Sequence, residues 1–220
     1  MRVLIVGASG GIGAAMAAQA ETRGDEVVRV SRRADGLDVT DEASVAACLG
    51  AFDGAFDTIV VATGALEIGG QGPEKTIRSL TSNGVLRQVA LNAVGPALVL
   101  KHGVRLLPRD RRAVVAALSA RVGSIGDNRA GGWYGYRAAK AALNQIVHTA
   151  AIELARSHPL LALVALHPGT VQTPLTAAYA GRHSTVPPEV AAGNLWRVLE
   201  GLTAADSGGF FDWAGKRVPW

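Results

Sequence analysis

The sequence predicts an α/β fold in which a doubly wound, mainly parallel sheet of about seven strands carries helices on both faces. Short apolar segments of strand length alternate with longer helical segments along all 220 residues. Several of the short segments are apolar throughout, which is typical of parallel strands covered on both faces. Because 49% of the residues are hydrophobic, the chain can bury a large core, and we expect residues 1–220 to form one domain.

The individual elements follow from where the apolar segments begin and where glycine or proline interrupts them. Strands are predicted at residues 3–6, 26–30, 37–39, 57–62, 112–118, 160–166 and 209–212. Helices are predicted at residues 13–23, 41–49, 73–107, 134–157 and 187–202. Gly24, Pro108 and Pro159 lie just after three of these helices, where such residues end a helix.

A glycine-rich turn joins the first predicted strand to the first predicted helix. The segment GASGGIG follows Val6 directly, and its glycines have the spacing G-x-x-x-G-x-G. Small residues let backbone amides and the helix N-terminus approach a pyrophosphate, as in Rossmann-like nucleotide-binding folds. The alternative interpretation is that these residues form a tight turn between strand and helix and bind no nucleotide. The predicted cofactor contacts in this turn are Gly7, Ser9, Gly11, Ile12 and Gly13.

The end of the second predicted strand indicates which dinucleotide binds. The strand EVVRV is followed by Ser31, Arg32 and Arg33, and no acidic residue stands at its tip to hold a ribose 2′-hydroxyl. A guanidinium group matches a 2′-phosphate instead. We therefore predict that Ser31 and Arg32 contact NADP(H), with NAD(H) as the alternative cofactor and plain solvated arginines as the alternative interpretation.

Composition and charge argue against several other classes of protein. The net charge is +4 and the basic residues are scattered without interleaved aromatic residues, so no nucleic acid is expected as a partner. No apolar run approaches the roughly 20 residues that cross a bilayer, so no membrane association is expected. Cys48 is the only cysteine, which fits a cytoplasmic protein. The five histidines show no metal-ligand spacing, so no metal is expected.

Tyr136 and Lys140 are the strongest candidate catalytic pair. They lie four residues apart in the predicted helix 134–157, so both side chains project from one face. An ammonium group beside a phenol can shift the pKa of that phenol toward neutrality, which makes it a tunable proton donor. The alternative interpretation is that the two residues lie at the edge of an amphipathic helix and have no catalytic role.

These motifs together resemble the classical short-chain dehydrogenase/reductase family over essentially the whole chain. The resemblance rests on the glycine turn, on Tyr136-x-x-x-Lys140 and on the segment HPGTVQT at 167–173, which occur in the family's order. The segments SARVGSIGDNRAGGWYGYRAAKAALN and GGFFDWAGKRVPW are similar to the branch of C-factor and sniffer-type carbonyl reductases. The resemblance implies NADPH-dependent reduction of a ketone, aldehyde or quinone, or the reverse oxidation of an alcohol.

The resemblance also implies roles for individual residues. Tyr136 corresponds to the general acid/base, and Lys140 corresponds to the residue that lowers its pKa and holds the nicotinamide ribose. Asn92 corresponds to the asparagine of a proton relay, although in an apolar helix its amide could simply bond locally. Further cofactor contacts are implied for Asp38 and Val39 at the adenine and for Pro168, Gly169, Val171 and Thr173 at the nicotinamide.

The sequence departs from the family at the residue that should hydrogen-bond the substrate oxygen. Alignment on Gly123 places Ala120 where the family has a serine. Ser119 is the preferred substitute because it ends the strand, with Ser124, Asn128 or a water as alternatives. This departure keeps a rival function open, an NADP(H)-binding sensor or signalling protein with weak or no turnover.

The segment after Thr173 is short for the mobile substrate lid that the family has there. We expect a short lid near residues 174–187 and an open pocket that Trp133, Tyr179 or Trp220 completes. The family further implies a homodimer or homotetramer in which the helices around 75–107 and 134–157 pack between subunits. The predicted partners are therefore a small carbonyl or alcohol substrate and further copies of this chain.

Overall fold

In the computed structural model, which describes residues 1–174, 176 and 184–220, six strands form one parallel sheet. They are β1 Arg2–Val6, β2 Glu26–Val30, β3 Thr58–Val61, β4 Ala113–Leu118, β5 Leu161–His167 and β6 Phe210–Asp212. Their order is β2-β1-β3-β4-β5-β6, and every neighbouring pair is parallel. The chain winds outward in both directions from β1 and β3, so the prediction of a doubly wound Rossmann-like sheet is confirmed.

Helices connect the strands and cover both faces of the sheet. The described α-helices are α1 Gly11–Thr22, α2 Arg32–Asp35, α3 Glu42–Gly50, α4 Ser82–Val89, α5 Gly95–Gly103, α6 Tyr134–Leu154 and α7 Pro188–Gly201. A π-helical turn at Ala90–Val94 joins α4 to α5 without a break.

The alternation of side chains along β1 divides the core into two halves. Leu4 and Val6 pack with side chains of α3, α5 and α6, whereas Val3 and Ile5 pack with side chains of α1 and α7. β3 and β4 are buried along their whole length because helices cover both of their faces. This double cover explains why both strands are continuous apolar runs in the sequence.

The prediction of a strand at 37–39 is wrong, and the described sheet has six strands rather than about seven. Leu37 and Val39 are both buried, in agreement with the alternating pattern that predicted a strand. However, side chains take the backbone donors that a strand ladder would use: Asp38 N donates to Ser44 Oγ, and Thr40 N donates to Asp38 Oδ1. The segment therefore packs as an irregular connection between α2 and α3.

The long helix predicted at 73–107 begins later than expected. Residues 64–81, which we call loop 64–81, are irregular except for an isolated antiparallel bridge between Ile68 and Gln71 and a short 3-10 turn at Ile77–Ser79. Thr81 then caps α4, because its Oγ1 accepts a hydrogen bond from Gly84 N at 3.1 Å. Apolar spacing alone could not show this start, which is determined by a side-chain cap.

Burial in the interior strand β5 gives a direct test of the packing. Leu163 is fully buried, whereas Leu160, just before the same strand, is 45% exposed. We expect Leu163→Ala to lower the free energy of unfolding by about 2–5 kcal/mol because it leaves a cavity beneath the helices. Leu160→Ala, the same change at an exposed site, should lower it by about 0.5 kcal/mol or less. Urea denaturation measures both, and equal losses would contradict this packing.

Candidate active site

The carboxyl ends of the parallel strands bring the predicted site residues to one edge of the sheet. The glycine turn follows β1, Ser31 follows β2, Ser119 follows β4 and Pro168 follows β5. A Cβ placed on Gly7 would lie 2.8 Å from the Ala62 carbonyl carbon, just beyond β3. The sheet thus gathers at one edge segments that are far apart in the sequence.

The glycine turn, which we call the glycine cradle, places the N-terminus of α1 against the ends of β1 and β2. Gly7 has φ +94°, and its N–H and that of Ala8 donate to the Val30 carbonyl at 2.8 and 3.1 Å. A Cβ on Gly13 would overlap the Gly7 carbonyl oxygen, so α1 packs against the turn as only glycine allows. No acidic residue stands in the first turn of α1. A pyrophosphate fits such an N-terminus, which carries partial positive charge.

The segment 168–173 packs against this cradle. A Cβ on Gly11 would lie 2.7 Å from Thr173 Cγ2, so the two segments are in close contact. Val171 is buried and forms a parallel bridge with Val186, which holds the segment in place. A Cβ on Gly169 would lie 3.0 Å from the Trp213 ring. The structure therefore brings the predicted nicotinamide segment to the predicted phosphate turn.

An acidic residue, Asp35, folds back onto the tip of β2, where the sequence pattern predicted none. Ser31 caps the one-turn helix α2, because its Oγ accepts from Ala34 N, while Asp35 Oδ2 accepts from Ser31 N at 2.7 Å. Arg32 is exposed and lies near Asp38, whose pKa is lowered by hydrogen bonds from Thr40 and further by the Arg32 charge. The tip thus presents an exposed guanidinium together with two carboxylates.

Tyr136 and Lys140 lie on the buried face of α6, with 8% and 3% of their surfaces exposed. Lys140 Nζ donates to the Leu118 carbonyl at 2.9 Å, lies 5.8 Å from the Tyr136 ring centroid, and lies 3.5 Å from where Gly64 would carry a Cβ. Burial raises the pKa of Tyr136 to about 12 and lowers the pKa of Lys140 to about 8. At neutral pH the phenol therefore keeps its proton. A lowering of the Tyr136 pKa by Lys140 stays a prediction.

Asn92 lies in the π-helical turn and is completely buried. Its Oδ1 accepts from Ala65 N at 3.1 Å, and its Nδ2 donates to the Ala65 carbonyl and to Gln88 Oε1 at 2.9 and 2.7 Å. The side-chain amide is therefore bonded locally, and it fastens loop 64–81 to α4. Gln88 was missed in the sequence, where its spacing of four residues from Asn92 was the available signal.

The three candidates for the missing serine all have local partners. Ser119 Oγ donates to Asn144 Oδ1 at 2.6 Å, Ser124 Oγ accepts from Asp127 N, and Asn128 Oδ1 accepts from Gly131 N. Ser119 is the preferred candidate, yet its hydroxyl proton is directed to Asn144 in this arrangement. Asn144 was missed in the sequence, although it lies four residues after Lys140 on the same face of α6.

The three residues expected to complete the pocket have different surroundings. The Trp133 ring lies edge-on to the Tyr136 ring, with centroids 6.3 Å apart. Trp220 packs on Phe210 and His148 instead, with centroids 5.9 and 5.4 Å away. Tyr179, and most of the predicted lid near 174–187, lie outside the described residues.

Comparison with known proteins agrees with this geometry. A model of the short chain dehydrogenase family matches residues 1–182. A 1-hydroxy-2-glutathionyl-2-methyl-3-butene dehydrogenase of Rhodococcus sp. (strain AD45) is 33% identical over 233 residues and 99% of each chain. The C-signal protein of Myxococcus xanthus is 37% identical over 134 residues, which cover 61% of this chain and 77% of that protein.

Two solved structures superpose on the whole chain. The NADPH-bound carbonyl reductase from chicken fatty liver has a TM-score of 0.83 at 23% identity, covering 100% of this chain and 98% of its own. A Burkholderia multivorans protein of the short-chain dehydrogenase/reductase type, with bound NADP, has a TM-score of 0.80 at 27% identity, with 100% and 99% covered.

The fold and the matched family define an oxidoreductase that acts on alcohol and carbonyl groups. The chain belongs to the short-chain dehydrogenase family. The predicted resemblance to this family and to its C-factor members is confirmed by these relatives, and the carbonyl reductase from chicken fatty liver shares the fold. None of the described helices combines the length and the apolar character that a membrane span requires.

The burial of Lys140 predicts a pH-dependent stability. Its pKa is about 8 in the folded protein, below the ordinary 10.5. Between these values the unfolded chain binds more protons, so stability rises with pH. We expect wild type to gain about 1 kcal/mol relative to Lys140→Met between pH 7 and pH 9. Tyr136 does not interfere, because its pKa of about 12 lies above this range.

Urea unfolding of wild type and Lys140→Met at both pH values measures this difference. Lys216→Met, at an exposed lysine, is the control for removing an ammonium group. A difference between wild type and Lys140→Met that is the same at pH 7 and pH 9 would show that the buried ammonium does not titrate as described.

Proposed function

We propose that this protein is an NADPH-dependent carbonyl reductase that reduces a ketone, an aldehyde or a quinone, or oxidises the corresponding alcohol. The observation that carries the proposal is the buried pair of Tyr136 and Lys140 at the same sheet edge as the glycine cradle. A phenol that is protonated at neutral pH and faces a dinucleotide site suits the protonation of a substrate oxygen.

The residues around the cradle fit a nicotinamide dinucleotide. Gly7 and Gly13 leave room that a Cβ would fill, and the N-terminus of α1 offers backbone amides without an acidic neighbour. Pro168, Gly169, Val171 and Thr173 would hold the nicotinamide end, and Asp38 and Val39 would hold the adenine end. When bound, the cofactor supplies the hydride that the protein itself lacks.

The catalytic pair supplies the proton. Tyr136 donates its phenolic proton to the carbonyl oxygen as negative charge develops there, and the phenolate that remains is stabilised by the Lys140 ammonium. Lys140 is anchored on the Leu118 carbonyl, so its charge stays near the Tyr136 ring. In alcohol oxidation the same phenolate would accept the proton.

The exposed Arg32 supports a preference for NADP(H). Its guanidinium stands at the tip of β2, where a 2′-phosphate would need a cationic partner. Asp35 is held on the Ser31 amide and so is already hydrogen-bonded. The NADP bound in the Burkholderia multivorans structure, at 27% identity, supports the same cofactor. NAD(H) remains the alternative.

The substrate is proposed only as a class. The Rhodococcus relative is named a dehydrogenase of a hydroxy compound, which supports an alcohol and carbonyl couple here. Ala120 favours the rival function, a nucleotide-binding sensor, because losing one donor to an oxyanion typically costs a few kcal/mol. Turnover that is lost when Tyr136 is replaced would support the reductase and reject the sensor.

Exposed apolar side chains support a homodimer or homotetramer. Leu86 on α4, Val94 in the π-helical turn and Ile152 on α6 are 64%, 42% and 60% exposed. Burial of these side chains between copies of the chain would remove apolar surface from water.

We further propose that the chain forms a single domain, that it works in the cytoplasm, and that it has a short lid near 174–187.

Tyr136→Phe tests the proposed reaction. In a screen of ketones, aldehydes and quinones with NADPH, we expect this change to lower kcat by about 10²–10⁴-fold, because the proton donor is lost. Tyr134→Phe is the matched control, since Tyr134 lies two residues earlier and is 36% exposed. Loss of absorbance at 340 nm measures both. Equal activity of Tyr136→Phe and wild type would reject the mechanism.

Arg32→Ala tests the cofactor. We expect wild type to bind NADPH more tightly than NADH and the variant to lose about tenfold or more in NADPH affinity, because a charge-assisted phosphate contact is removed. Its NADH affinity should change little. Arg109→Ala, an exposed arginine before β4 at the opposite sheet edge, is the control. Fluorescence titration of each protein measures the Kd values, and a wild-type preference for NADH would overturn the assignment.

A further inference from the structure

We propose that Glu74 is a positioning residue, which clamps the turn before α6 and thereby sets where Tyr136 and Trp133 stand. The proposal rests on the proposed function for its catalytic consequence. Its structural basis is independent of that function, because it consists of contacts between loop 64–81 and the first residues of α6.

Glu74 holds the start of α6 with two separate groups. Its backbone carbonyl accepts from Trp133 N at 2.5 Å, and its Oε2 accepts from Gly135 N at 3.1 Å. The first amides of a helix have no partner within that helix, and the side chain of Trp133, which precedes α6, forms no cap. A carboxylate from a distant loop therefore acts as the N-cap and meets the positive end of the helix dipole.

The clamped turn has a backbone conformation that needs external support. Trp133 has φ 56°, and it alone among the described non-glycine residues has a positive φ. Gly131 and Gly132, with φ of 64° and 66°, precede it. A bulky residue in the left-handed region persists only where its surroundings hold it, and such positions concentrate at functional sites. The bond from Trp133 N to Glu74 supplies part of this support.

The conformation of this turn determines whether the Trp133 indole lies beside the phenol of Tyr136. The indole of Trp133 lies edge-on to the ring of Tyr136, at 6.3 Å between centroids and 68° between planes. If the turn relaxed to a right-handed conformation, the indole would leave this place, and the first turn of α6 would lose two of its anchors. Tyr136 is the third residue of α6, so its position depends on that turn.

Gly135 makes the clamp sterically possible. A Cβ on Gly135 would lie 3.0 Å from Glu74 Oε1 and 3.3 Å from Gln88 Cγ, so the carboxylate and α4 both pack against bare backbone. Gln88 in turn holds Asn92. The start of α6 is therefore packed between the Glu74 carboxylate and Gln88, which belongs to the hydrogen bonds that hold loop 64–81.

The carboxylate of Glu74 is used for capping rather than for ion pairing. It borders a cleft of about 490 Å³ whose walls also include Lys75 and Arg87. Both cations are within the same cleft, yet Glu74 forms no ion pair with any described residue. Its described hydrogen bonds go to the backbone before Tyr136, which is where a positioning residue would act.

The test compares Glu74→Ala with Glu74→Gln, and uses Glu67→Ala, an exposed glutamate of the same loop, as the matched control. With NADPH and a carbonyl substrate found by screening, we expect Glu74→Ala to lower kcat about tenfold or more, because the proton donor is misplaced. KM for NADPH should change less than about twofold, since the cradle is untouched. Glu74→Gln should recover most of kcat, because its amide oxygen can still accept from Gly135 N.

A second measurement tests the hydrogen bonds of Glu74 to the start of α6 and does not depend on enzyme activity. Amide hydrogen exchange by NMR should be faster at Trp133 and Gly135 in Glu74→Ala than in wild type or Glu74→Gln. Unchanged exchange at both amides would overturn the clamp itself. Unchanged kcat in Glu74→Ala, or a kcat in Glu74→Gln as low as in Glu74→Ala, would overturn the positioning role. A wild type without carbonyl reduction would reject the proposed function, while the exchange result would still decide the clamp.

Discussion

The burial of the Lys140 ammonium at the end of β4 is the interaction on which the site depends. A buried cation is costly unless its protons find acceptors, and here the Leu118 carbonyl accepts one of them. That bond requires α6 to cross the end of β4 closely. Gly123 permits the approach, because a Cβ there would lie 2.8 Å from the Lys140 backbone, and the bond between Ser119 and Asn144 ties the same two elements together. Once α6 is placed in this way, Tyr136 is placed with it.

Burial shifts the protonation equilibria of Tyr136 and Lys140 in opposite directions. It favours the neutral phenol and disfavours the charged ammonium, so the pKa of Tyr136 rises to about 12 while the pKa of Lys140 falls to about 8. Negative charge that forms on the phenol during proton donation would in turn favour the protonated lysine. Under the proposed function, the phenol would therefore give its proton to a substrate, and the lysine would stabilise the charge that remains.

Local sequence pattern predicted the parts of this molecule that depend on local chemistry. The apolar runs gave β3, β4 and β5, and the glycine spacing gave the cradle, because burial and close packing restrict residue type directly. The pattern failed where one particular side-chain hydrogen bond, near or far along the chain, holds the local structure. Glu74 reaches Gly135 across 61 residues, Ser119 reaches Asn144 across 25, and the Asp35 carboxylate folds back on Ser31 within a turn that looked featureless. Loop 64–81 likewise includes residues predicted as helix from position 73, and there the Arg78 amide donates to Thr76 Oγ1.

The contact between Gly11 and Thr173 has a consequence for how this site can change. The methyl group of Thr173 occupies the place that any larger residue at position 11 would need. A larger residue at position 11 would therefore push on the segment 168–173, and bulk added at position 173 would press back on the glycine turn. Under the proposed function, in which the glycine turn binds the pyrophosphate and the segment 168–173 holds the nicotinamide end, a substitution at either position would therefore disturb both parts of the cofactor site.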